Sequence, residues 1–276
     1  MAQEPAPKRA DVTCDLERPG MKDFRLDGQR ALISGGSKGL GAAIAERFSE
    51  AGADIGVIGR DREGLRRIQE IVENNHRNCW VIEEDVSSIK GAGRAGEKAL
   101  ALSSQWDVLV NNAGIARVQS ILETSQDDWS DVFSVNLRSV LLLSQAIVPQ
   151  MIKRGHGKVV NISSIGAFIG TPGLGAYAAS KAALNQLTRT MAVEWGPHNI
   201  HVNALCPTVI LTEMGHDIWD SPSMEKPRRE KEQRIPLHRF GEPSEVANVA
   251  LFLASAASDF VQGVSLPLDG GLTIAP

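Results

Sequence analysis

The sequence predicts an α/β protein on a single doubly wound parallel sheet of about seven strands, with helices on both faces. Three observations carry that expectation. Short, β-branched apolar runs alternate with longer segments of helical periodicity along the chain. The runs are almost continuously hydrophobic, as in strands covered on both faces. No linker-like shift in composition interrupts the alternation, which argues for one domain. Of the 276 residues, 42% are hydrophobic and 22% charged, enough apolar material for a large core.

Residues 1–23, with three prolines and many charges, read as a disordered N-terminal extension, leaving 24–276 as the folded domain. The expected strands are 31–33, 55–58, 80–82, 108–110, 158–162, 202–205 and 264–266. Helical periodicity falls at 39–51, 63–74, 92–103, 128–153, 177–194 and 244–255. The long connection at 208–241 breaks the rhythm. It has helical pieces of its own, including the mixed-sign run 225–234, and it follows the sixth strand, where insertions cover a ligand crevice.

Charge and cysteine content exclude several classes of function. The net charge is −4 with Lys and Arg scattered, so neither nucleic acid nor a membrane surface is an expected partner. No apolar stretch is read as reaching membrane-spanning length, and the N-terminus lacks a signal-peptide core. Cys14, Cys79 and Cys206 have neither disulfide nor metal spacing and fit a reducing cytoplasm. None of the six histidines shows ligand spacing, so no metal is assigned.

Two motifs carry chemistry. Ser34-Gly35-Gly36-Ser37-Lys38-Gly39-Leu40-Gly41 follows the first strand and opens a helix. Glycines there let the backbone approach a pyrophosphate, and the helix N-terminus offers free N–H groups. The chain's one tyrosine, Tyr177, stands four residues before Lys181. That spacing puts both groups on one helix face, where an ammonium favours the phenolate and draws its pKa toward neutrality.

With Asn111-Asn112-Ala113-Gly114 after the fourth strand, Asn136 in Val135-Asn136-Leu137 and Ser163-Ser164 after the fifth, the chain resembles short-chain dehydrogenases/reductases over roughly residues 26–276. Ser34 stands where the family's glycine loop has threonine. The resemblance implies a Rossmann fold and hydride transfer between a nicotinamide and a carbonyl or alcohol. It implies a proton donor at Tyr177, and at Lys181 a group that lowers the phenol's pKa and holds the ribose. It also implies a substrate-oxygen ligand at Ser164, not Ser163, and a relay-water ligand at Asn136. Cofactor contacts are expected from Gly35, Ser37, Lys38, Gly39, Leu40, Gly41, Arg60, Asp85, Val86, Asn112, Ala113, Gly114, Tyr177, Lys181, Pro207, Val209 and Thr212.

Ile58 is followed by Gly59-Arg60 with no carboxylate at the strand end, and Lys38 adds a second cation, so NADP(H) is expected over NAD(H). Asp61 reads either as the N-cap of the next helix or as the ribose acid displaced by a residue or two. Asp85-Val86 reads as an adenine contact or a strand-end cap. Cys206-Pro207-Thr208-Val209 puts a β-branched residue where relatives usually have glycine. That stretch, with Thr212-Glu-Met-Gly215, Trp219 and Arg234-Ile-Pro-Leu237, resembles L-xylulose (dicarbonyl) reductases. Gly114-Ile-Ala-Arg117, Leu122-Glu123 and Ala192-Val-Glu-Trp195 resemble bacterial polyol and gluconate dehydrogenases.

The expected activity is NADP(H)-dependent interconversion of a carbonyl and a secondary alcohol on a sugar, polyol or small dicarbonyl, with His216, Asp217 and Trp219 lining the pocket. A 3-oxoacyl thioester reductase is the enzymatic alternative, and a non-catalytic dinucleotide sensor the alternative of another class. A homotetramer is expected, built through the helices beginning near Asp128 and Tyr177 and through the chain's end.

Overall fold

Seven strands pair in parallel in the order β3-β2-β1-β4-β5-β6-β7. They are β1 (Arg30–Ser34), β2 (Asp54–Gly59), β3 (Cys79–Glu83), β4 (Val108–Asn111), β5 (Gly157–Ile162), β6 (Ile200–Pro207) and β7 (Ser265–Leu268). The computed structural model describes residues 22–275, except the side chains of Met214, Asp217, Ile218 and Pro222. Residues 1–21 of the expected extension, with Cys14, lie outside the described residues. Lys22–Phe24 form a 3-10 turn, and the Phe24 ring lies 6.3 Å from that of Phe252. An aromatic anchor thus brings the fold's start two residues before the expected boundary.

Side-chain alternation splits the core in two. Leu32, Ile58, Leu109 and Val159 point to one face and Ile33, Val57, Val110 and Val160 to the other, as the two-residue period of a strand dictates. The first set meets α3 (Ile89–Leu102), α5 (Ser139–Arg154) and α6 (Gly175–Trp195). The second meets α1 (Gly39–Glu50), α2 (Arg62–Asn74) and α9 (Pro243–Ala254). Several helices start on the side-chain caps their sequences offer. Asp61 accepts from the Gly64 N–H, Ser88 from Gly91 and Ser125 from Asp128.

The helix expected at 128–153 is interrupted. It runs as α4 (Gln126–Phe133), a π-helical stretch at Ser134–Arg138, then α5. By length and composition Gln126–Arg154 is apolar enough to cross a membrane, contrary to the sequence reading. Val140, Leu143, Ile147 and Met151 are nevertheless buried, and three of these four belong to the core against the sheet. Its hydrophobicity is that of a core helix.

The 208–241 connection carries α7 (Glu213–Trp219) and α8 (Glu225–Gln233). A bridge between Ile210 and Gly241 pinches its ends together. Leu211, Ile235 and Phe240 make a satellite core within it, with Trp219 packed alongside.

Candidate functional site

The chain leaves β1 toward β2 and β3, then crosses to β4 on β1's other side. That reversal opens a crevice beyond the strands' carboxyl ends. A cleft of about 970 Å³ lies there, walled by the glycine loop, the ends of β2–β6 and the base of the 208–241 connection.

The glycine loop is held from β4. Ser34 Oγ accepts from the Asn112 and Ala113 N–H groups at 3.1 and 3.2 Å. The Asn112 amide donates to the Ser34 and Gly35 carbonyls at 3.1 and 3.0 Å. A Cβ on Gly35, whose φ is +66°, would stand 2.9 Å from Ala113 Cα. A Cβ on Gly41 would stand 2.2 Å from the Gly35 carbonyl oxygen. Only glycine fits either place. α1 begins at this loop without a side-chain cap on its N-terminal N–H groups, which suits a pyrophosphate. The cradle and the cations beside it fit a nicotinamide dinucleotide.

At the other end of the cleft, α6 and β5 bring Tyr177, Lys181 and Ser164 together. The Ser164 hydroxyl lies close enough to the Tyr177 phenol to favour its ionised form. Lys181 Nζ donates to the Ile162 carbonyl at 2.7 Å and stands 5.7 Å from the Tyr177 ring centroid. Burial pulls the Lys181 ammonium down to about 8. The Tyr177 phenol moves opposite to the expectation from spacing: burial pushes it up, and the nearby Ser164 hydroxyl only partly opposes this. The ammonium lies over the ring and bonds to a carbonyl, so desolvation outweighs its field at the phenol.

Asn136 sits in the π-helical stretch and is fully buried. Its Oδ1 accepts from the Ile115 N–H at 2.8 Å, and its Nδ2 donates to the Ile115 carbonyl at 2.9 Å and to Ser180 Oγ at 3.0 Å. The side chain therefore clamps the loop after β4. Gly114 faces both groups: a Cβ there would make ordinary contacts at 3.4 Å from Asn136 Oδ1 and 3.5 Å from Lys181 Nζ.

The chain is similar to known enzymes over most of its length. A family model described as enoyl-(acyl carrier protein) reductase matches residues 35–273. The chain is 39% identical over 254 residues to a 2-dehydro-3-deoxy-D-gluconate 5-dehydrogenase of Dickeya dadantii, covering 91% of this chain and 98% of that one. It is 38% identical over 250 residues to the L-xylulose reductase of Bos taurus, covering 90% and 98%. A solved gluconate 5-dehydrogenase from Burkholderia cenocepacia, in complex with NADP and tartrate, superposes with a TM-score of 0.86 at 36% identity, covering 92% of this chain and 99% of the other. The chain belongs to the short-chain dehydrogenase/reductase family. It is an oxidoreductase acting on CH–OH groups with a nicotinamide dinucleotide.

In this short-chain dehydrogenase/reductase most residues expected at the site do wall the cleft. Gly35, Ser37, Lys38, Leu40, Arg60, Asp85, Val86, Asn112, Ala113, Gly114, Pro207 and Thr212 all line it. Gly39, Gly41, Val209 and the fully buried Asn136 do not. The two glycines serve the loop's backbone path, and Val209 packs into the satellite core. Asp61 caps α2, with Oδ1 accepting from the Gly64 N–H at 3.1 Å. Arg60 NH1 stands 3.4 Å from Asp85 Oδ2, and both groups are largely exposed.

The lid residues need correction. His216 Nδ1 pairs with Asp220 at 2.8 Å, and the Trp219 ring packs edge-on against Phe240 at 5.0 Å. Neither lines the cleft, because both are spent on the lid's internal packing. Asp217's side chain lies outside the described residues. The cleft wall instead includes Arg117, Asp131, Thr208 and Ile210, which sequence reasoning did not place there. Their only signal was position, just past the ends of β4 and β6 or on α4.

Proposed function

We propose that this chain is an NADP(H)-dependent reductase/dehydrogenase of a sugar, polyol or small vicinal dicarbonyl, acting in the cytoplasm as a homotetramer. The observation that carries the reading is the gathering of Ser164, Tyr177 and the buried Lys181 in one wall of the cleft. The dinucleotide, when bound, supplies or accepts the hydride. In the reducing direction Ser164 orients the substrate oxygen, and Tyr177 gives it the proton as charge develops. Lys181 holds a positive charge close to the phenol and resupplies the proton. Asn136 acts by fixing the loop that frames Lys181.

For the cofactor, Arg60 and Lys38 offer donors to a 2′-phosphate, while Asp61, which lines the same cleft, spends Oδ1 on the α2 cap. The names of the relatives, which concern gluconate derivatives and L-xylulose, support the substrate class. Arg117 and Asp131 in the cleft wall give it both signs of charge for hydroxyl-rich molecules.

The test is a panel of polyols, ketoses, vicinal dicarbonyls and 3-oxoacyl thioesters, assayed with both cofactors. Turnover of the first three groups with NADP(H) is expected. Turnover of the thioesters alone would replace this reading with the carrier-protein one, and no turnover at all would favour a dinucleotide sensor. Tyr177→Phe should cut kcat by about a hundred- to ten-thousandfold with NADPH affinity retained; near-normal activity would refute the assignment.

A further inference from the structure

Among the described residues, four buried side-chain atoms have no hydrogen-bond partner: Asn111 Oδ1, Arg154 Nε, Thr208 Oγ1 and Ser265 Oγ. Of these residues only Thr208 walls the cleft, in company with Ser164, Tyr177 and Lys181.

The backbone there is fixed. The Thr208 N–H donates to the Leu268 carbonyl at 3.1 Å, and the Gly241 N–H donates to the next carbonyl, that of Val209, at 3.1 Å. What can turn is the side chain: a threonine has staggered χ1 wells, and one step between them exchanges hydroxyl and methyl. A buried hydroxyl without a partner costs stability, and a turn about χ1 brings it from the wall to a ligand in the cleft.

The β5–β6 ladder ends with Ile162 paired to Leu205, and both chains run on into the cleft wall, with Ser164 after β5 and Thr208 after β6. Ser164 and Thr208 thus bring two hydroxyl side chains from the ends of neighbouring strands to one cleft.

We propose that Thr208 is a substrate-binding, specificity-determining residue whose hydroxyl bonds an oxygen on the carbon next to the reacting carbonyl. It thereby favours α-hydroxy and α-dicarbonyl substrates over simple ketones. The inference rests on the assignment of Ser164 and Tyr177 to the reacting oxygen.

The experiment compares 2,3-butanedione with 2-butanone as substrates of the wild type, Thr208→Val and Thr208→Ser, and melts each protein without ligand. Valine keeps the shape and removes only the hydroxyl. Thr208→Val should lower kcat/KM for the dione about tenfold. The monoketone value and the KM for NADPH should stay within about twofold, and Thr208→Ser should restore the dione rate. Without ligand the valine variant should melt no lower than the wild type. Equal losses on both ketones would overturn the proposal. So would a matching rise in the NADPH KM, which assigns the hydroxyl to the cofactor, or a lower melting point, which reveals an internal partner. A wild type that reduces neither compound refutes the dicarbonyl reading and the subsite with it. A valine variant indistinguishable from an active wild type refutes the subsite alone.

Discussion

The Lys181 ammonium donates to the Ile162 carbonyl where water is excluded, and desolvation brings its pKa from the usual lysine range down to about 8. The sign of the linkage follows. From about pH 8 up to lysine's ordinary value the unfolded chain binds this proton and the folded protein does not, so stability attributable to this group rises with pH in that window. The melting temperature of the wild type relative to Lys181→Met should therefore climb between pH 8 and 10, and a flat difference would contradict the burial argument. Arg60 is the opposite case. Its ion pair with Asp85 is long and exposed and contributes little, so the guanidinium is available to a phosphate. Arg60→Ala should raise the KM for NADPH about tenfold and leave that for NADH within about twofold; equal effects on both would refute the cofactor preference. At this scale the sequence was informative where a role is local. Asp61 was readable as a cap because Asp-Arg-Glu-Gly opens a helix. The pKa direction of Tyr177 was not readable, because spacing shows which groups meet but not how far water is excluded from them.

The strands and most helices were legible to within about three residues at each end, because a strand buried on both faces announces itself as an unbroken apolar run. What escaped was polar. Asn111 on β4 donates to Asn161 on β5 at 2.8 Å, Asn161 donates to Thr188 of α6 at 2.9 Å, and Thr188 returns a bond to the Leu184 carbonyl at 2.8 Å. This chain crosses the sheet into the helix that carries Tyr177 and Lys181, and a buried polar group fits only one register. Asn161→Ala should therefore cost about 1–3 kcal/mol in chemical denaturation and lower kcat through a displaced α6. A loss of stability with kcat unchanged would confine the network to structure. The π-helical stretch is a second omission. Hydropathy reads 128–153 as one helix, whereas the extra residue needed to aim Asn136 at Ile115 becomes visible only once the loop after β4 is in place. The lid failed for a related reason: His216 and Trp219 looked like pocket residues, but their partners Asp220 and Phe240 belong to the lid itself.

For the molecule as a whole, the apolar groups left uncovered bear on assembly. Trp129 and Phe133 of α4 stack at 4.7 Å, and Trp129 is 38% exposed. Leu141 of α5 is 37% exposed and Val193 of α6 is 77% exposed. These helices are the ones expected to join protomers, and Tyr177 lies on α6, so a contact there would also stiffen the active-site helix. A second uncovered region lies at the chain's end. β7 is an edge strand of the sheet, and Leu237, Phe260 and Ile274 are 64%, 103% and 88% exposed. An open edge with apolar neighbours is a surface that soluble proteins cover. Two distinct self-complementary faces are what a tetramer with three two-fold axes requires, whereas a dimer needs one. Light scattering should therefore give a mass near four times the 29.7 kDa chain. The double variant Leu141→Glu with Val193→Glu buries two charges in the helical face only, so it should halve that mass and leave the contact at the chain's end intact. Because α6 loses its support, the variant's kcat should fall even at saturating NADPH. A variant that remains tetrameric, or a wild type that is monomeric at micromolar concentration, would show that these helices are not where protomers meet.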